Sequence, residues 1–148
     1  MPKIDLDAIA ATNSTGYPAD YATLVGGRWV QRLAPLFGLA DFGASHVRLK
    51  PGAASSQRHW HEDEDELVVM LSGDAVLVDD AGRTPLVPGD VAVFPKNDGN
   101  GHHIVNESAQ DCVFVAIGRP PAGDCHYPDI DMHYSGATGF TRKDGSPF

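Results

Sequence analysis

Residues 52–73 read GAASSQRHWHEDEDELVVMLSG, and this stretch holds both a chemical motif and a folding pattern. His59 and His61 are separated by one residue, so on a β-strand both imidazoles emerge from the same face, about 6 to 7 Å apart along the chain. Glu66 opens the apolar run that follows, and a bend in the acidic residues 62–65 would return its carboxylate to the two histidines. Side chains of these types at this spacing can share one metal ion.

A further ligand has to come from a later part of the chain. His102 opens another apolar segment, on which Ile104 and Asn106 share its face. His103 is adjacent and competes for the same role. A single histidine is rarely a ligand, but this combination on an all-β background is hard to obtain by chance. The sequence predicts a metal site formed by His59, His61, Glu66 and His102.

Short apolar runs and turn signals alternate along the chain on both sides of this stretch. Sixteen glycines and eleven prolines among 148 residues separate the runs, a pattern typical of a many-stranded all-β domain. The predicted strands cover residues 45–50, 66–71, 74–78, 84–87, 91–94, 102–105 and 112–117.

Two of these strands, residues 67–71 and 113–117, are apolar on both faces. One face can line a barrel interior, and the other must pack on a second sheet or a second subunit. Because a small domain has limited core volume, we predict a homodimer.

The flanking segments show weaker patterns. Residues 1–44 contain one helical candidate at residues 30–39, interrupted by Pro35, and we expect them to pack on the barrel as an N-terminal extension. The barrel is expected over residues 45–118. Residues 119–148 are expected to form an irregular C-terminal tail.

Charge and composition exclude several classes of protein. Twenty acidic against eleven basic side chains give a net charge of −9, which is the wrong sign for binding nucleic acid or anionic membranes. The apolar runs are far shorter than the ~18 residues of a membrane-spanning helix. Residues 1–11 lack the apolar stretch of a signal peptide, so we expect a cytoplasmic protein.

The chain has two cysteines, which are too few for a disulfide scaffold. We expect Cys112 to be a buried thiol.

At the residues described above the sequence resembles the cupin superfamily, whose first motif runs glycine, HxH, glutamate, glycine. Gly52, His59, His61, Glu66 and Gly73 match this motif, with one residue more than usual between Gly52 and His59. The resemblance implies an all-β, cupin-type double-stranded β-helix, or jelly-roll barrel, with irregular N-terminal and C-terminal extensions.

The second cupin motif is also present. Gly89, Pro95, Gly99, His102 and Asn106 match it, with two extra residues between Pro95 and Gly99. The match favours His102 over its neighbour as the ligand because His102 keeps its spacing to Asn106. We expect Asn106 itself to act as a hydrogen-bond partner rather than a ligand.

The whole-chain pattern, including residues 56–61 and 127–131, resembles small bacterial single-domain cupins of the sugar phosphate isomerase-like type. Three histidines and a carboxylate suit one divalent transition metal, Zn, Mn, Fe or Ni, and leave positions open for a small-molecule substrate. In an isomerase, the metal would polarise a substrate oxygen while a base moves a proton between adjacent carbons.

A phosphorylated substrate would also need cations at the pocket mouth. The candidates, each more typical of a solvated surface charge, are Arg48, Lys50, Arg58 and Lys96. We expect the acidic residues 62–65 to form a solvated loop, whose negative potential would oppose anionic substrates.

Two other functions remain open. An Fe(II)-dependent dioxygenase would favour a largely apolar pocket. The candidate lining residues, which are equally typical of barrel core, are Val68, Met70, Phe94 and Ile104. A non-catalytic module that binds a small ligand is the third possibility. The isomerase is preferred on resemblance alone.

Overall fold

A computed structural model describes residues 3–119 and 122–148, which form mainly short antiparallel strands. The strands are β1 Arg28–Arg32, β2 Gly43–Leu49, β3 Trp60–His61, β4 Glu66–Ser72, β5 Ala75–Asp79, β6 Gly82–Leu86, β7 Val91–Phe94, β8 His103–Val105, β9 Cys112–Gly118, β10 Cys125–His126, β11 His133–Ser135 and β12 Gly139–Thr141. The helices are α1 Ala19–Ala22 and α2 Leu33–Leu36, with 3₁₀ turns at Leu6–Ala8 and Thr23–Val25.

These strands form three sheets, in the orders β1-β2-β9-β4-β7, β6-β5-β8 and β12-β11-β10-β3. The seven strands predicted from the sequence correspond to β2 and β4 to β9, so the all-β prediction is confirmed. Most of the predicted strand ends lie within two residues of those observed.

The hydrophobic core lies between the first two sheets, because both contribute side chains to one cluster. Alternation along each strand selects the buried side chains: Val47 and Leu49 of β2 are buried, as are Val68 and Met70 of β4. Ile104 of β8 completes the cluster from the facing sheet. The predicted burial of Cys112 is confirmed, since this free thiol is fully buried in the same cluster.

The N-terminal extension adds a strand where the sequence predicts a helix. β1 pairs in antiparallel register with β2, and only a single helical turn, Leu33–Leu36, follows it. The prediction of a helix over residues 30–39 is therefore wrong for most of that range. Sheet pairing along Arg28–Arg32 outweighs the weak helical pattern, which Pro35 already limits.

The C-terminal segment is more regular than the expected irregular tail. β10, β11 and β12 join β3 in one sheet. Their side chains form a second cluster around Tyr127 and Met132, against which Tyr17 of the N-terminal extension packs. Strands of two or three residues are too short to show a period in the sequence, which is why this sheet was not predicted.

The outer face of the five-stranded sheet carries exposed apolar side chains, among them Leu71, Val91 and Val93. This is the face for which the sequence predicts a covering subunit, and the homodimer stays a prediction. In the described part of the chain, no helix has both the length and the apolar character needed to cross a bilayer.

Gly73 at the β4–β5 turn is the glycine at which a side chain should be least tolerated. Its φ is +70°, and a Cβ there would lie 2.8 Å from Cys112 Cα and closer still to the Asp111 carbonyl oxygen. Because backbone strain and the clash add, we expect Gly73→Ala to lower the free energy of unfolding by about 3 kcal/mol. Gly52→Ala is the matched control, since its φ is +82° with nothing within 4 Å. It should cost about 1 kcal/mol. Urea denaturation measures both, and equal costs would contradict the role of the close approach.

Candidate metal centre

The backbones of the two sequence motifs are joined directly at His59 and His102. The His59 N–H donates to the His102 carbonyl at 3.1 Å, and the His102 N–H donates to the His59 carbonyl at 2.9 Å. His61 lies in β3 and Glu66 begins β4. The four predicted ligands therefore come from segments that meet at one end of the barrel.

Their side chains converge on one point. His59 Nε2 lies 3.0 Å from His61 Nε2, and His102 Nε2 lies 3.0 Å from Glu66 Oε2. The same Glu66 oxygen is 3.6 Å from His61 Nε2 and 3.9 Å from His59 Nε2. The structure thus brings together all four residues that the sequence singled out.

His103, the competing candidate, is engaged elsewhere. Its Nδ1 donates to the Ser56 carbonyl at 3.0 Å. Within the described ranges, His103 belongs to none of the clusters of His, Cys, Asp and Glu that could hold an ion, whereas His102 does.

Hydrogen bonds to carbonyl groups set the tautomers of two of the rings. His59 Nδ1 lies 2.9 Å from the Gln57 carbonyl oxygen, and His102 Nδ1 lies 3.3 Å from that of Asn100. A carbonyl oxygen only accepts, so each Nδ1 carries the hydrogen. Each neutral ring then directs the lone pair of Nε2 toward the common point.

This arrangement fits a divalent metal ion. The His102 lone pair faces a Glu66 oxygen at 3.0 Å, a contact between two acceptors that is repulsive unless a positive charge is shared by both. An ion held at about 2.1 Å by each of several ligands separates neighbouring ligand atoms by about 3 Å. The observed separations of 3.0 to 3.9 Å are of that size.

The pKa values in the cluster also indicate that a positive charge is favoured between the four side chains. Burial opposes the charge on Glu66, yet its close contacts with the His102 and His61 imidazoles hold its pKa well below the usual range. Burial also opposes a proton on His61, but hydrogen bonds to Cys125 and Glu66 raise its pKa to about 10. Burial lowers the pKa of His59 to about 4, so this ring stays neutral. A cation is therefore favoured between the Glu66 carboxylate and the imidazoles.

Two further groups lie at the centre that sequence reasoning missed. The Glu64 side chain is only 13% exposed, its Oε2 lies 3.4 Å from His61 Nδ1, and burial raises its pKa to about 7. The prediction of a solvated acidic loop is therefore wrong for Glu64. Cys125 is buried beside His59 and His61, because β10 pairs with β3 in the register Cys125↔His61. The sequence carries no local signal for either contact.

A cavity of about 480 Å³ opens next to these residues. Val68, Phe94 and Ile104 form part of its wall, while Met70 belongs to the core. Glu64 and Glu66 are the only carboxylates that line it among the described residues.

Positively charged side chains also line the cavity, but they are not the basic residues that the sequence suggested. Arg28, Arg32 and Arg119 line it. Arg48 and Lys50 both pair with Asp111, as expected of surface charges.

Asn106 does not belong to the centre. It is fully buried, and its Nδ2 donates to the Leu49 carbonyl at 2.9 Å and to the Gln110 carbonyl at 2.7 Å. Its Oδ1 accepts from Ser108. Asn106 is thus a hydrogen-bond partner of the backbone, as predicted.

Comparison with known proteins identifies the family of the barrel. Residues 45–118 match the family model of the cupin domain. A crystal structure of a sugar phosphate isomerase from a cupin superfamily, from Silicibacter pomeroyi, is 43% identical. The match covers 99% of this chain and 96% of that one, with a TM-score of 0.92.

More distant proteins share the same fold. A protein from Acidithiobacillus ferrooxidans that is also named as a sugar phosphate isomerase is 26% identical over 74% of this chain and 72% of that one, with a TM-score of 0.68. The oxalate-binding protein of Thermotoga maritima is 33% identical over 73 residues, which is 49% of this chain. This match spans 58% of the length of the Thermotoga protein.

Arg58 holds the histidine segment against the C-terminal segment. It donates to both oxygens of Asp129 at 2.7 Å and also pairs with Asp80, and its side chain is only 16% exposed. Because these bonds are charge-assisted and partly shielded from water, we expect Arg58→Met to lower the free energy of unfolding by about 2 kcal/mol.

Arg83→Met provides the control. Arg83 pairs with Glu107, but both side chains are 53% exposed. Water screens such a pair, so its loss should cost less than about 0.5 kcal/mol. Thermal unfolding followed by circular dichroism compares the two variants, and equal losses would refute the special role of Arg58.

Proposed function

This chain belongs to the cupin family, and from that premise we propose that it is a metal-dependent enzyme that isomerises a small polar substrate by proton transfer. One divalent transition metal, Zn, Mn, Fe or Ni, would be held by His59, His61, Glu66 and His102. The observation that carries the proposal is the convergence of imidazole lone pairs and a carboxylate on one point, beside a cavity.

The chain's own residues provide the orientation that such a site needs. The Gln57 and Asn100 carbonyls hold the rings of His59 and His102 in one tautomer. The metal, when bound, supplies a Lewis acid that polarises a substrate carbonyl or hydroxyl oxygen.

Glu64 is the residue that we propose as the proton carrier. A tightly held ligand is a poor base, so Glu66 is unsuited to the role. Glu64 is the other carboxylate of the cavity wall. Its carboxylate would accept a proton from the hydroxyl-bearing carbon next to the substrate carbonyl and return it to the former carbonyl carbon. The hydroxyl proton of the first carbon would pass to the former carbonyl oxygen, so the transfer needs no oxidant or reductant.

The comparisons support an isomerase over the alternatives. The protein from Silicibacter pomeroyi that shares nearly the whole length of this chain is named as a sugar phosphate isomerase. The Fe(II)-dependent dioxygenase has support from the apolar wall of Val68, Phe94 and Ile104. The arginines in the same cavity favour a polar substrate over an apolar one.

The metal site predicts a defined stoichiometry. Elemental mass spectrometry of protein purified without oxygen should find about one transition metal per chain, and His61→Ala and Glu66→Ala should each lose it by about tenfold or more. His103→Ala is the matched control, since this ring bonds to the Ser56 carbonyl and should leave the metal content unchanged. Full metal content in His61→Ala, or its loss in His103→Ala, would contradict the ligand set.

The proton transfer predicts an isotope signature. Incubation with aldose and ketose phosphates in D₂O, followed by NMR, should show interconversion with deuterium entering at the carbon next to the carbonyl. Glu64→Gln should slow this exchange about 100-fold or more per bound metal ion, and the rate is normalised to metal content because Glu64 also contacts His61.

Asp63→Asn serves as the control because Asp63 is an exposed acid of the same segment. Oxygen uptake without exchange would favour the dioxygenase. Substrate binding without either reaction would leave a non-catalytic binding protein.

A further inference from the structure

Arg28 stands out among the charged side chains because it is half-buried and has no carboxylate partner among the described residues. Its Nη1 donates to the Ser55 carbonyl at 2.7 Å. Its Nε is buried and has no hydrogen-bond partner among the described residues. Burial lowers the pKa of Arg28, and no carboxylate contributes to the shift. A buried, unpaired donor on a cation is costly, so its presence calls for an explanation.

The strand that carries Arg28 directs it into the cavity. β1 pairs with β2 in the register Arg28↔Leu49, and alternation places Arg28, Val30 and Arg32 on one face. All three line the cavity beside the metal centre, and Arg32 is exposed at its rim. Arg48, by contrast, pairs with Asp111 on the surface.

We propose that Arg28 is the binding site for an anionic, oxygen-rich group of the ligand, a phosphate or a carboxylate, with Arg32 as a second cation at the rim. The planar fork of a guanidinium matches both groups, because each presents two oxygens to parallel N–H donors. This inference deepens the proposed function, since it names the chemical class of the substrate.

Two tyrosines extend the site. Tyr17 and Tyr127 line the same cavity as Arg28, with their ring centroids 5.9 Å apart. The Tyr17 hydroxyl accepts a hydrogen bond from the Gln57 N–H at 3.3 Å, and a hydroxyl can donate its own hydrogen while it accepts. An anion at Arg28 would therefore also meet a hydroxyl donor.

The spacing between Arg28 and the metal centre suits a small bifunctional substrate. Arg28 bonds to the Ser55 carbonyl, and the next residue, Ser56, lies with its Oγ 3.1 Å from His59 Nδ1. Because Ser55 and Ser56 are adjacent, the Arg28 guanidinium and the His59 imidazole contact neighbouring residues in the wall of one cavity. Tyr127 lines the same cavity, with its ring centroid 5.9 Å from that of His59. A substrate with its anionic group at Arg28 can place a carbonyl or hydroxyl group at the metal centre.

Titration calorimetry with inorganic phosphate and with malonate tests the site. Wild-type protein should bind at least one of them at millimolar concentration, and Arg28→Met should weaken that binding about 10- to 100-fold. Arg32→Met should weaken it severalfold. Arg48→Met removes the same charge outside the cavity and should leave binding unchanged at constant ionic strength. Phosphate and malonate compared with each other identify which anion the site prefers.

Further measurements test the anion site at Arg28 independently of the metal. Circular dichroism melts establish that Arg28→Met is folded, and Arg32→Met tests the same site without disturbing the bond to Ser55. In His61→Ala, which should lack the metal, the Arg28-dependent binding should persist. Absence of binding in the wild type, or binding unaffected by both cavity variants, would overturn the inference whether or not the protein holds a metal.

Discussion

The pair of backbone hydrogen bonds between His59 and His102 is the constraint on which the site depends. Residues that exchange both bonds in an antiparallel pair lie with their Cα atoms about 5.5 Å apart and their side chains on the same face. The two rings are therefore neighbours before any ligand arrives. Glu66 reaches them because β4 is held between β7 and β9 in the large sheet. A ligand set assembled by sheet pairing loses little conformational freedom when it binds an ion.

The electrostatics of the molecule differ between its surface and its cavity. The net charge of −9 argues against anionic partners over the surface as a whole. Inside the cavity, however, the carboxylates lie at the candidate metal centre, whereas Arg28 and Arg32 lie on β1. At distances of a few ångströms, these local charges outweigh the field of the more distant surface charges, which salt screens. An acidic protein can thus present a site that favours an anion.

Sequence reasoning succeeded where the signal is local. The seven barrel strands are long enough to show alternation, and the spacing of His59, His61 and Glu66 is contained in one short stretch. It failed where the contact depends on how distant segments pack. The strands of the C-terminal segment are too short to show a period. The burial of Glu64, the approach of Cys125 and the direction of Arg28 arise from tertiary contacts that no local pattern encodes.

The residues that line the cavity come from three parts of the chain. The candidate ligands for the metal all belong to the barrel, whereas Tyr17 and Arg28 come from the N-terminal extension and Tyr127 and Phe140 from the C-terminal segment. Under the proposed function, the groups that hold the metal and several of the groups that contact the substrate therefore come from different segments of the chain. Substitutions in the two extensions can alter which molecule is admitted without touching the groups that would activate it. Such a division lets a single barrel diversify into new substrates by drift at its ends.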